Sequence, residues 1–166
     1  MNIFLYTFIN NITIIDMKKI EHIFEYHEYG YEELEDYAKE LINYAREMRE
    51  LAYSPYSNLK VGAAVLLENE KVIGGNNQEN CAFPSGLCAE RVAMFSARAQ
   101  YPFSKVKAIA IISSNEDKII TPCGGCRQVM AEIIKEQDED FDVIMASKKK
   151  VIVAKAGDLI PLVFNY

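Results

Sequence analysis

Positive charge is in short supply in this 166-residue sequence, where 18 Lys and Arg stand against 24 Asp and Glu and leave a formal net charge of −6. The densest basic run, Lys148-Lys149-Lys150, lies between two β-like stretches, where a solvated turn is its expected role. A polyanion is gripped by clustered Lys and Arg, so a nucleic-acid partner is not expected. Histidine occurs only at His22 and His27, both outside any ligand-like spacing, so a metal site here would have to rest on other side chains. The four cysteines, Cys81, Cys88, Cys123 and Cys126, are too few for a disulfide framework in a chain of this length. Thiols kept reduced for chemistry, and hence a cytoplasmic location, are the expectation. Apolar runs are also short. The stretch "MNIFLYTFINNITII" is broken by Asn10, Asn11 and Thr13 and has no Lys or Arg ahead of it, which makes it a poor secretory signal and too short for a membrane span. No membrane partner is expected. Met17, followed by Lys18 and Lys19, reads as an alternative native start that would leave the first sixteen residues outside the protein.

What is present fits one ordinary domain with a real core, since 50% of residues are hydrophobic and 25% charged. Residues 1–31 read as an N-terminal extension and 32–166 as a single catalytic domain. Within the extension, Ile20 to Tyr29 is aromatic and β-branched enough for an extra strand closed by Gly30. From Glu32 to Ala52 apolar residues recur every three or four positions, which predicts an amphipathic helix stopped by Ser54-Pro55. Strands are predicted at 60–67 and 71–75, a helix at 86–99, a strand at 105–113, a helix at 124–136, and strands at 141–146 and 151–155. This order predicts an α/β fold: a three-layer α/β/α arrangement around a mixed five-stranded sheet. No internal repeat, low-complexity tract or second domain is visible.

The segment "TPCGGCRQVM" raises the chemical question. Its Cys123 and Cys126 suit a redox couple, half of a structural zinc knot, or part of a catalytic metal site. Cys88, in "PSGLCAERVAM", is a third thiol, and no convincing fourth ligand accompanies it. Three sulfurs leave one vertex of a zinc tetrahedron open, where a water can be activated. All three fall at predicted helix N-termini, whose unpaired N–H groups stabilise thiolates. Three thiolates around Zn²⁺ carry a net charge of −1, which Arg91 and Arg127 are placed to offset by donating to the sulfurs; for Arg127 an ordinary place on the helix surface fits as well. Glu90 discriminates among the readings. A structural knot or a dithiol couple has no use for a carboxylate beside its ligand, whereas hydrolysis needs a group that takes a proton from water and returns it to a leaving group. Cys88-Ala89-Glu90 together with Pro122-Cys123-Gly124-Gly125-Cys126 matches the zinc deaminase signature.

On these motifs, and on "SPYSNLKVGAAVL", "NNQENCAFPSGLCAER" and "LIPLVF", the sequence resembles the small, three-cysteine cytidine deaminases over about Tyr37 to Phe164. The resemblance implies the cytidine-deaminase-like fold, one zinc per subunit held by Cys88, Cys123 and Cys126, and hydrolysis of cytidine or deoxycytidine to uridine or deoxyuridine and ammonia in pyrimidine salvage. Glu90 would be the catalytic proton carrier. Asn77 and Glu79 match a pair that binds the ribose 3′-hydroxyl, the backbone of Ala89 would face the base, and Arg91 matches the residue that neutralises thiolate charge. Read from the residues alone, Asn77 and Glu79 project the same way from an extended loop and suit a sugar hydroxyl, although a solvated turn accounts for them too. Leu59 stands where Phe is usual beside the base, Phe83 where Tyr is usual, and Cys81 where a small Ala is usual. Phe164 matches an aromatic inserted over the base in a neighbouring subunit's site, which implies a homotetramer with shared active sites and a small nucleoside as the only other partner. Deamination of a nucleoside analogue or free base, a non-catalytic zinc-stabilised interaction domain, and a dithiol redox protein are the competing readings.

Overall fold

The computed structural model describes residues 19–164. The reading of Met17 as a start, and the whole apolar N-terminal stretch, lie outside the described residues. In chain order the elements are β1 (Tyr26–Tyr29), α1 (Asp36–Glu50), β2 (Val61–Leu67), β3 (Val72–Asn76), α2 (Ala89–Gln100), β4 (Val106–Ser113), α3 (Gly124–Gln137), β5 (Asp142–Ala146) and β6 (Val151–Lys155). They form one sheet in the order β1-β6-β5-β4-β2-β3. Only β4 and β5 are hydrogen-bonded in parallel; every other neighbouring pair is antiparallel.

The sheet therefore has six strands where the catalytic domain alone was expected to supply five. The sixth is β1, from the segment read as an extra strand over 20–29, and it covers only the last four residues of that segment. The reason is its partner. Tyr26 pairs with Ala154, β6 ends one residue later at Lys155, and the chain then turns through Gly157–Leu159. Further back there is no strand left to pair with.

Alternation along the strands sorts the core into two halves. Ala64, Ala108, Ala110, Ile112, Ile144 and Ala146 face α1, which buries Ala38, Leu41, Ile42 and Ala45 against them. Val65, Ile109, Ile111, Val143 and Met145 face the opposite side, where they pack with Ala93, Met94 and Ala97 of α2 and Met130 and Ile133 of α3. Such period-two and period-3.6 faces are what bury this sheet on both sides.

Topology then places the site. β3 and β4 are both antiparallel to β2, so β3, β4 and β5 run the same way. The connections β3–α2–β4 and β4–α3–β5 both step across the sheet in one direction, and right-handed crossovers put both helices on one face. Their N-termini emerge at the carboxyl ends of β3 and β4, where open α/β sheets bind ligands. Gly75 allows a close approach: a Cβ there would meet Ala93 N at 2.4 Å and Ala89 O at 2.7 Å, so only glycine lets α2 lie this low on β3.

Candidate active site

Cys88 is the N-cap of α2 and Cys123 the N-cap of α3, with Cys126 in the first turn of α3. Neither capping sulfur is used as a cap acceptor, so both remain available as ligands. The α2 helix begins at Ala89 rather than 86, because Leu87 is held extended by paired backbone hydrogen bonds with Gln78, both 2.9 Å. Cys88 Sγ lies 3.7 Å from Cys123 Sγ, Cys123 Sγ lies 3.5 Å from Cys126 Sγ, and all three sulfurs fall within 4.8 Å of one another. Zinc–sulfur bonds of about 2.3 Å at tetrahedral angles separate sulfurs by about 3.8 Å, so the donor set fits zinc with one vertex left over. It is the only such cluster of three or more His, Cys, Asp or Glu among the described residues.

The electrostatics favour thiolate here. Arg91 Nη2 donates to Cys88 Sγ at 3.8 Å. The Cys88 thiol is lowered to about 5 by hydrogen bonding from Cys126 and by the adjacent Arg91 guanidinium. Cys126, buried and facing both Cys88 and the Glu90 charge, is pushed up. Arg127 does not join this set. Its Nε donates to Pro122 O at 2.8 Å and its Nη1 to Leu159 O at 2.9 Å, so its guanidinium ties loop to loop instead of serving the sulfurs.

Glu90, in the first turn of α2, is 5% exposed. Burial raises its carboxyl above the usual range, with the neighbouring Cys88 thiolate adding to the rise. An acid that is buried, beside a three-sulfur cluster and nearer to neutrality than usual is equipped to shuttle protons.

A cleft of about 530 Å³ opens beside this cluster and meets it through Cys88 and Arg91, while Glu90, Cys123 and Cys126 lie behind its wall; Tyr56, Ser57, Asn77, Glu79, Phe83 and Leu87 also line it. Residues 77–79 are extended because Tyr53 and Leu87 both bridge to Gln78, which turns Asn77 and Glu79 to one side. Both side chains are already engaged. Asn77 Oδ1 accepts from Val61 N (2.7 Å) and its Nδ2 donates to Leu59 O (2.9 Å). Glu79 accepts from Tyr56 N (2.8 Å), Ser57 N (3.2 Å) and the Ser57 hydroxyl, and these bonds hold its carboxyl below the usual range. They are therefore organisers of the 56–61 loop, a role that sequence spacing does not reveal. Ala89 is buried at the first position of α2. Phe83 lies at the cleft mouth, edge-on to Tyr56 at 6.2 Å between ring centroids. Leu59 and Phe164 are 38% and 73% exposed and do not line the cleft. Cys81 is exposed and stands apart from the sulfur cluster. Gln128, which no motif singled out, brackets the backbone of Phe164 from the start of the second turn of α3.

Comparison with known proteins follows this geometry. The family model "Cytidine and deoxycytidylate deaminase zinc-binding region" matches residues 35–137. A cytidine deaminase of Halalkalibacterium halodurans is 45% identical over 93 residues, 56% of this chain and 69% of its own length. A probable cytidine deaminase of Dictyostelium discoideum is 33% identical over 125 residues, 75% of this chain and 81% of its own. The crystal structure of cytidine deaminase from Burkholderia pseudomallei superposes with a TM-score of 0.68 at 40% identity, covering 79% of this chain and all of that one. The three-sulfur cluster with its buried carboxyl thus lies inside a matched region, and the chain belongs to the cytidine and deoxycytidylate deaminase zinc-binding family.

Proposed function

We infer that this protein is a zinc-dependent enzyme that hydrolyses cytidine to uridine with release of ammonia. Relatives named cytidine deaminase at 33% to 45% identity support the activity. The observation that carries the reading is the buried Glu90 carboxyl in the first turn of α2 with three sulfurs spaced for zinc, one of which, Cys88, lines a cleft of about 530 Å³.

Cys88, Cys123 and Cys126 would hold the metal. Zinc supplies Lewis acidity that brings the pKa of a water to about 7. Arg91 offsets the net negative charge of three thiolates, which would otherwise oppose that ionisation. Glu90 accepts one proton of the water and gives it to ring N3, then takes the second proton from the hydroxyl newly added at C4 and gives it to the departing amine. A C4–O bond forms, the C4–N bond breaks, and uridine and ammonia balance cytidine and water. Asn77 and Glu79 would accept the ribose through the N–H and lone pairs left over from their loop contacts. The backbone of Ala89 would meet the base, with Phe83 giving apolar contact at the cleft mouth. Deoxycytidine would be accepted by the same pair, since neither addresses the 2′ position in this reading.

Phe164 would serve a second copy's site within a homotetramer, a reading supported by its exposed ring. Reduced thiols as ligands favour a cytoplasmic setting and a role in pyrimidine salvage.

The test is an absorbance assay on cytidine, deoxycytidine and free cytosine with parallel zinc quantification. Turnover of the nucleosides with one zinc per subunit is expected. Stoichiometric zinc with no deamination of any cytosine compound would end the reading, and a preference for free cytosine would remove the ribose roles of Asn77 and Glu79.

A further inference from the structure

We propose that Gln128 is a positioning residue for nucleoside binding: its carboxamide clamps the backbone of Phe164 and so sets where that ring is presented. The inference rests on the reading that Phe164 faces the base in a second copy's site.

Gln128 lies two residues beyond Cys126, at the start of the second turn of α3. Its Nε2 donates to Phe164 O at 3.0 Å, and its Oε1 accepts from Phe164 N at 3.3 Å. A primary amide offers donor and acceptor side by side, as a neighbouring strand does, so one side chain satisfies both backbone groups of one residue. The adjacent Arg127 holds Leu159 O in the same way, through Nη1 at 2.9 Å. The C-terminal segment is thus moored at 159 and at 164 to the N-terminal end of α3, which carries two of the three sulfurs.

What is held is unusual. The Phe164 ring is 73% exposed and Leu162 is 93% exposed, so the segment returns little burial to its own subunit for the conformational entropy lost in fixing it. Holding both backbone groups fixes the Cα–Cβ direction of a residue whose ring is mostly exposed. That arrangement suits an aromatic aimed at something outside the subunit, and it couples its aim to the metal-bearing turn.

The test is steady-state kinetics on cytidine with the zinc-loaded full chain and four variants: Gln128→Ala, Gln128→Glu, Phe164→Ala, and Gln128→Ala with Phe164→Ala. Loss of two neutral hydrogen bonds should raise KM about tenfold in Gln128→Ala, with kcat within about twofold and zinc content unchanged. Gln128→Glu keeps the acceptor and loses the donor, so a smaller rise in KM is expected and covers the case in which Gln128→Ala fails to fold. The double variant should match Phe164→Ala alone, since the clamp has nothing to aim once the ring is gone. A KM change in Phe164→Ala but in neither Gln128 variant overturns the clamp and leaves the reading of Phe164 standing. No change in Phe164→Ala overturns both. Additive effects in the double variant, or loss of zinc in the Gln128 variants, would show that Gln128 acts on the fold or the metal turn and not through Phe164.

Discussion

At the scale of single residues, Glu90 sets function against stability. Water is withdrawn from its carboxyl, which disfavours the charged form and raises its pKa, and nothing in the helix needs a carboxylate at that position. Glu90→Gln keeps the size and a hydrogen-bonding end while removing the proton carrier. Its kcat on cytidine should fall by about 10²- to 10⁴-fold with zinc stoichiometry intact, and its melting temperature should stay level or rise, because a neutral amide is easier to bury. A lower melting temperature together with lost zinc would instead make Glu90 a structural support. The residue scale is also where the sequence was most and least informative. The gathering of Cys88, Cys123 and Cys126 at two helix starts, with Glu90 buried in the first turn of one of them, was legible because the spacing of those residue types is the one zinc hydrolysis would demand. The work done by Asn77, Arg127 and Gln128 was not legible. Each satisfies backbone groups 5 to 36 residues away, a contact created by the tertiary fold that leaves no local pattern.

Elements bring the residues together, and the two helix starts meet only because α2 can lie against β3. A Cβ on Gly75 would strike backbone atoms of α2, which cannot rotate aside as a side chain would. Gly75→Ala should therefore cost about 1–3 kcal/mol and lower kcat by shifting Cys88 and Glu90 as one body. Gly124→Ala is the control. A Cβ there meets nothing within 4 Å, its φ is not positive, and it sits at the start of α3, so the change should be neutral or stabilise by up to about 1 kcal/mol. Thermal unfolding of both variants checks the pair; equal effects would mean that the close approach at Gly75 is not what seats α2. Chelation probes the same junction. Metal held by Cys88 on one helix and by Cys123 and Cys126 on the other joins them, so its removal should lower the melting temperature, with recovery on adding zinc back. Helix and strand existence followed from periodicity at every position where it was expected. The boundaries moved where tertiary pairing overrode the local signal, as at Leu87, which is drawn into a bridge with Gln78 before α2 can begin.

For the molecule as a whole, the open question is what the N-terminal strand contributes. β1 pairs along β6 from Tyr26–Ala154 to Tyr29–Val151, and Lys150 reaches Glu28 at 3.0 Å. The far end of the sheet from β3 is thereby covered, while the sulfur cluster sits at the starts of α2 and α3, on connections that β1 does not touch. Without β1, the Val-Ile-Val-Ala run of β6 becomes an unpaired apolar edge, a template for pairing with other chains. The exposed Lys150–Glu28 pair itself is worth little, at most about 1 kcal/mol, so the loss would come through the bared edge. We expect removal of residues 1–30 to leave kcat per bound zinc within about twofold while lowering the melting temperature and raising light scattering on concentration. A truncated protein that stays monodisperse but loses turnover would contradict this, because it would place the extension in the catalytic machinery and move the functional boundary of the domain ahead of residue 32.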